Sequence, residues 1–341
     1  MTTVTICAIP GDGIGREVVP AAVEVLRDAV PDLYVEWAEG GAETWSQTGA
    51  ALPERTLDLV SSTAATLFGA VSSPLRPTPG YRSAILELRR RFDLYACVRP
   101  VKTLALAGAP PHQADLVIVR ENTEDLYGGG EESDGERAVA QRVITRSAST
   151  RIGRQAFALA RRLGRSRVTV AHKATVLPKT DGLFRESIFA VARAYPDIAV
   201  DEMLVDNVAY QLAARPDRFD VIVTTNMFGD ILSDVAAVHG GGLGLVPSAN
   251  IGAMHGVFEP VHGSAPDIAG RGLANPLAAI LAGALLLDFI DRHSEAEQVR
   301  AAVAASAAGP VRTPDLGGDA MTDDVVRDVR RRFQSAVPAS R

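Results

Sequence analysis

Residues 220–250 read DVIVTTNMFGDILSDVAAVHGGGLGLVPSAN and hold a strand, a helix with two carboxylates and a glycine-rich loop. Val221 to Thr224 is a β-branched apolar run of strand length, and Asn226 stands where a helix would start, Asn being a preferred N-cap. The strand thus delivers the chain straight into a helix. On that helix Asp230 and Asp234 are four residues apart, so both side chains leave one face about a turn from each other. Met227, Phe228, Ile231, Leu232 and Val235 leave little of the helix to face water, and two like charges among them require a cation. Hard oxygen ligands without His or Cys beside them suit Mg²⁺ or Mn²⁺ rather than zinc.

Upstream, residues 4–9 read as a buried strand, followed by the turn Pro10-Gly11-Asp12-Gly13-Ile14-Gly15 and a helix over 17–29. A GxGxxG fingerprint beginning at Gly11 would need glycine at position 16, where Arg16 stands, so the turn is no dinucleotide loop. Further strands are expected at 34–38, 66–70, 116–119, 168–171 and 202–205, with helices at 53–61, 83–92, 149–163, 181–195 and 275–290. Strands alternating with helices predict an α/β fold with a largely parallel sheet. Residues 72–81 carry three prolines and a glycine and read as a loop, as does the acidic run that follows Tyr127 to Arg137. Residues 336–341 are expected to fray.

The 341 residues suffice for a substantial core, and a net charge of −6 argues against a nucleic-acid partner. Cys7 and Cys97 are the two cysteines, too few for a disulfide framework or a CxxC metal site. No stretch of eighteen apolar residues suggests a membrane span, and the N-terminus lacks a basic region followed by a long apolar run. A cytoplasmic protein is expected.

The segments NMFGDILSD, GGLGLVPSANIG and FEPVHGSAPDIAG together resemble the metal-dependent β-decarboxylating dehydrogenases of the isocitrate/isopropylmalate dehydrogenase family, from Ile9 to about Asp288. The resemblance implies two α/β lobes around a large mixed sheet, not a Rossmann fold. Residues 1–98 with 252–341 would form the cofactor-side lobe, and 99–251 the dimerisation and metal/substrate lobe. It further implies NAD and Mg²⁺ or Mn²⁺ as cofactors and a homodimer as the working unit.

Residue by residue, the resemblance makes Arg89, Arg99 and Arg120 the substrate-carboxylate arginines, a task that suits guanidinium forks. Tyr127 matches the tyrosine that handles a proton on the enol intermediate. Lys173, in HKAT, matches the base that activates the substrate hydroxyl. Asp206 matches a third metal carboxylate beside Asp230 and Asp234, Lys173 and Asp206 being lent across the dimer. Ile14 would lie beside the cofactor, and His262, Gly263, Ser264, Ala265, Asp267 and Asn275 would wrap its adenosine half, with Asp267 at the ribose hydroxyls.

Substrate choice falls to residues 69–89. Ile85 stands where isocitrate enzymes of the best-known bacterial type carry Asn, while Ser83 keeps their Ser, and the loop GAVSSPLRPTPGYRSAI resembles that of homoisocitrate dehydrogenases. Arg82 would serve a longer acidic tail. Homoisocitrate is the first choice and a phosphonomethylmalate the runner-up, with isopropylmalate, isocitrate and tartrate as further alternatives. A non-catalytic regulatory subunit is the rival from another class. Cys97, where close relatives have Asn, and Ala253-Met254-His255-Gly256, replacing a segment that often contains Asp, depart from the family pattern.

Overall fold

A computed structural model describes residues 4–74, 78–106 and 112–336. Leu75, Arg76 and Pro77 of the proline-rich loop, and residues 337–341, expected to fray, lie outside the described residues.

The chain begins with β1 (Val4–Gly11), α1 (Gly15–Ala29), β2 (Leu33–Trp37), α2 (Ala42–Thr48), α3 (Glu54–Ser62), β3 (Thr66–Ala70), α4 (Ala84–Arg91), β4 (Ala96–Lys102) and β5 (Asp115–Glu121). A small hairpin, β6 (Glu131–Ser133) and β7 (Ala138–Ala140), precedes α5 (Arg146–Arg162), β8 (Arg167–His172), α6 (Thr180–Ala192), β9 (Ala199–Leu204) and α7 (Val205–Ala214). The remainder is β10 (Val221–Thr224), α8 (Asn226–Gly240), β11 (Pro247–Ile251), β12 (Gly256–Pro260), α9 (Leu277–Phe289), α10 (His293–Ala307) and α11 (Thr322–Ala336).

Ten strands form one mixed sheet in the order β2-β1-β3-β12-β11-β4-β5-β10-β8-β9. Both flanks are parallel, as strand–helix alternation predicts, but β12–β11, β11–β4 and β4–β5 are antiparallel. The sequence reading had no strands at β4, β11 and β12. Prolines begin β11, end β12 and interrupt β4, which also carries Arg99, so none offers an unbroken apolar run.

Helices pack on the sheet through buried apolar residues, α1 through one face and α9 through nearly its whole circumference. Val18, Val19, Val25 and Leu26 of α1 are 0% exposed, each worth roughly 1.5–3 kcal/mol in burial. No helix among the described residues is long and apolar enough to cross a membrane.

Three further local readings change. The acidic run after Tyr127 is not a plain loop but contains the exposed hairpin β6–β7. Asn226 is the first residue of α8 rather than its cap, which is Thr225. Residues 205–214 turn at once into α7, so Asp206 lies in a helical first turn.

The parallel strands β5, β10 and β8 end at one edge of the sheet, with Thr224 in register with both Arg120 and Ala171. That edge is the carboxyl end of three strands, the place where open α/β sheets offer groups to a ligand.

Candidate active site

Arg120 near the end of β5, Arg99 in β4 and Arg89 in α4 are buried, Arg120 to 1% exposure. The antiparallel register of β4 and β5 sets Cys97 opposite Arg120, and α8 lies against them because Gly229 leaves room. A Cβ at Gly229 would fall 2.6 Å from Cβ of Arg120. Arg120 donates through Nε and Nη2 to Oδ1 of Asn226 at 3.0 and 2.7 Å, and through Nη1 to Oδ1 of Asp230. Arg99 donates to the same Asp230 oxygen at 3.3 Å. Arg89 donates to Oδ1 of Asn250 at 3.1 Å and to Glu259 at 3.4 Å. In direct contact, three guanidiniums therefore face two carboxylates, and Nε of Arg99 is buried without a hydrogen-bonding partner among the described residues.

Tyr127 stands at the rim, its hydroxyl donating to Oδ2 of Asp230 at 2.6 Å with the Arg120 guanidinium 5.0 Å from its ring. Burial pushes the phenol up, and the bond to Asp230 adds to this. Burial would also raise Asp230, but Arg120, Tyr127, Arg99 and Arg89 outweigh it and hold that carboxyl below its usual range. Asp234, one turn on, has no hydrogen-bonding partner among the described residues. Burial, with the Asp230 charge adding to it against the pull of Arg99 and Arg120, pushes its carboxyl up. An all-oxygen pair in this state fits a hard divalent cation, which would offset both the desolvation and the repulsion.

The third carboxylate is elsewhere. Among the described residues no three His, Cys, Asp or Glu side chains are gathered closely enough to hold a metal ion, so Asp206 does not join Asp230 and Asp234 within one chain. Lys173 follows β8 and donates through Nζ to Asp206, whose carboxyl this bond holds below its usual range. His172 is fixed between Glu202, 3.1 Å from Nε2, and the backbone N–H of Ala174, which donates to Nδ1 at 3.1 Å.

The expectation that α8 has little face open to water is corrected. Met227, Ile231 and Val238 are 38%, 51% and 63% exposed, and Tyr210 on α7 is 67% exposed. Leu232 is buried as expected, but Met227 and Ile231, with Val238 further along, make an exposed apolar row on the helix of Asp230 and Asp234.

On the opposite flank the β1–α1 turn meets the 262–267 loop. The N–H of Ile14 donates to Ser264 O at 2.9 Å, and Gly13, at φ +56°, approaches so closely that a Cβ would lie 2.0 Å from that oxygen. Ser72 Oγ donates to Ser264 Oγ at 2.8 Å. His262 has a buried Nε2 without a partner among the described residues, and burial holds its imidazole below the usual value. Gly263 and Asp267 are exposed, and Ala265 adopts φ +38°. Asn275 is tied to Asp315 at 3.0 Å and accepts the Leu277 N–H at the start of α9. Ser83 sits before α4 without capping it. Arg82 points to solvent with Glu87 at 3.9 Å, away from the arginine cluster.

Sequence reasoning missed Asn122, Asn226, Asn250 and Glu259 as parts of this site. Asn250 Oδ1 accepts from Arg89 and, at 3.0 Å, from Asn122, while its Nδ2 donates to Glu259 at 2.7 Å. The one signal available was polar residues inside otherwise apolar strand-like segments.

Compared with known proteins, residues 5–329 match the isocitrate/isopropylmalate dehydrogenase family. An isocitrate/homoisocitrate dehydrogenase of Thermus thermophilus is 53% identical over 97% of this chain and 98% of its own. A 3-isopropylmalate dehydrogenase of Methanothermobacter thermautotrophicus is 47% identical over 98% of this chain and 100% of its own. The crystal structure of isocitrate dehydrogenase from Methylococcus capsulatus superposes with a TM-score of 0.93 at 42% identity, covering 97% of this chain and 99% of that one. With its ten-stranded mixed sheet and its arginine cluster beside the carboxylates of α8, the chain belongs to the isocitrate/isopropylmalate dehydrogenase family, a family of dehydrogenases.

Proposed function

We propose that this dehydrogenase carries out the NAD-dependent oxidative decarboxylation of a 3-substituted malate, with homoisocitrate as the first choice. The observation that carries the reading is the convergence of Arg89, Arg99 and Arg120, all buried, beside Asp230 and Tyr127. Buried guanidiniums with a spare donor at Arg99 are the complement of a substrate with several carboxylates.

In this reading the arginines hold the carboxylates, and Lys173 takes the hydroxyl proton as hydride leaves for the nicotinamide. Tyr127 returns a proton to the enol carbon after carbon dioxide departs. Mg²⁺ or Mn²⁺ held by Asp230 and Asp234, with Asp206 of a second subunit, would supply Lewis-acid chemistry at the hydroxyl oxygen and at the developing enolate. Ile14, His262, Gly263, Ser264, Ala265, Asp267 and Asn275 are the cofactor side of the proposal, and the spare Nε2 of His262 supports it. The exposed apolar row on α8 supports a homodimer whose partner covers it. Division into lobes 1–98 with 252–341 and 99–251 belongs to the same proposal, one boundary passing through β4.

Homoisocitrate is favoured by the 69–85 loop and by the dual name of the Thermus relative. Arg82, in solvent here, would have to turn inward to reach an acidic tail. The test is steady-state kinetics with homoisocitrate, isocitrate, isopropylmalate, tartrate and a phosphonomethylmalate in parallel. Homoisocitrate is expected to have the highest kcat/KM. A hundredfold deficit against another member, about 2.7 kcal/mol in transition-state binding, would overturn the choice of substrate and leave the reaction type standing. No turnover of any member, with activation of a partner subunit instead, would favour the regulatory role.

A further inference from the structure

We infer that Arg142, between β7 and α5, is a positioning residue that holds the three catalytic turns at the sheet edge in one arrangement. Its guanidinium touches the Tyr127 turn and the residue before α8 directly, and the first turn of α6 that holds the Lys173 turn. Nε donates to Asp125 Oδ1 at 2.6 Å in the turn after β5, two residues before Tyr127. Nη1 donates to Thr180 Oγ1 at 2.9 Å and to Asp181 Oδ1. Nη2 donates to Oγ1 of Thr225 at 3.1 Å, the residue before α8, and the guanidinium carbon lies 5.2 Å from the ring of Phe228 on that helix.

The two carboxylates pass the constraint on to the residues that do the chemistry. Asp181, 0% exposed, accepts the backbone N–H of Lys173 on its other oxygen at 2.5 Å. Asp125, also 0% exposed and held at φ +70°, accepts the backbone N–H of Met227 on its other oxygen at 3.0 Å. Arg142 thus reaches the Lys173 turn through Asp181, and through Asp125 both the Tyr127 turn and the first turn of the helix bearing Asp230 and Asp234. Two buried carboxylates share one guanidinium, and the remaining negative charge is met by the Lys173 amide and by the N-terminal turn of a fifteen-residue helix. A lysine would keep the charge, but a point ammonium cannot reach Asp125, Asp181 and Thr225 together.

This inference rests on the proposed oxidative decarboxylation, and its test separates the two. In Arg142→Lys, shown folded by circular dichroism, kcat with homoisocitrate is expected to fall about a hundredfold, the effect of an ångström-scale misplacement, while KM for NAD stays within about twofold. The deuterium isotope effect on kcat from C2-deuterated homoisocitrate should rise, because a misplaced base slows the bond-breaking step. Amide exchange should accelerate at Lys173 and Met227 together and stay unchanged in β1. Should Arg142→Lys fail to fold, Asp181→Asn carries the same measurements, since it keeps an acceptor for the Lys173 amide and sheds the charge that holds the guanidinium.

Unchanged kcat, or a fall with an unchanged isotope effect and exchange accelerated throughout the chain, would overturn the inference and leave Arg142 a stabilising residue only. If the unsubstituted protein turns over none of the malates, the proposed function fails. The paired exchange at Lys173 and Met227 still decides whether Arg142 joins the turns.

Discussion

Lys173 and Asp206 of one chain are partners of each other, Nζ of the lysine donating to Oδ1 of the aspartate, while Asp230 is engaged by Arg99, Arg120 and Tyr127. The base and the third carboxylate therefore form a pair separate from the site they are proposed to serve. In the proposed homodimer each chain would lend this pair to the arginine cluster of the other.

Complementation follows from that geometry. Lys173→Ala and Asp230→Asn should each be inactive, but in a mixed dimer one site carries both changes and the other neither. With full statistical exchange, half the dimers are mixed and about a quarter of the unsubstituted turnover per chain should return. Continued inactivity, with exchange demonstrated by native mass spectrometry, would mean that each site is built from one chain.

Metal removal tests the carboxylates of α8. Asp234, without a hydrogen-bonding partner among the described residues, and Asp230 one turn away form the oxygen pair that a cation would neutralise. EDTA should abolish turnover, and Mg²⁺ or Mn²⁺ should restore it. Asp230→Asn should lower kcat/KM roughly a thousandfold and weaken Mn²⁺ binding measured by titration calorimetry. Full activity in chelator would remove the metal from the reaction.

Legibility in the sequence tracked how far each residue's environment was local. Thr66–Ala70 and Val221–Thr224 are buried throughout, and their bounds could be read from composition alone. The strand Ala96–Lys102 could not, because Arg99 and Pro100 belong to it for reasons supplied by β5 and α8. Arg89, Arg99, Arg120 and Tyr127 were named through the resemblance and Asp230 through its spacing to Asp234, and these side chains lie together in the structure. Asn226 and Asn250 were missed because an amide's role depends on an arginine about a hundred residues or more away in sequence. Met227 and Ile231 show the converse: apolar character predicted burial, yet both are exposed in the single chain.

Cofactor choice should favour NAD. Asp267 is exposed on the loop whose neighbour Ser264 is pinned to Ile14, so its carboxylate is free to accept from ribose hydroxyls. A 2′-phosphate would set like charges a few ångströms apart there, costing about 1 kcal/mol even in a water-like dielectric. The kcat/KM for NADP should be at least about fivefold lower, and Asp267→Ser should narrow the gap. Equal efficiency with both cofactors in the unsubstituted protein would refute the role given to Asp267.

Asp328 joins the last two helices and should make stability depend on pH. It is 3% exposed, accepts from Ser306 Oγ at 2.8 Å on α10 and from Arg332 Nε at 2.6 Å, and also pairs with Arg331. Burial would raise its carboxyl, but Arg332 and Ser306, with the charge of Arg331, outweigh it and hold the folded value below the usual range. Because the folded value is the lower one, the ionised group stabilises the fold fully above the unfolded value near 3.9, and that contribution is lost as pH falls through the folded value. Asp328→Asn should cost about 1–3 kcal/mol at pH 7 in urea unfolding, with the difference from the unsubstituted protein shrinking as the pH drops below about 4. A difference that stays constant into that acid range would show that the substitution acts through packing rather than through the charge of Asp328.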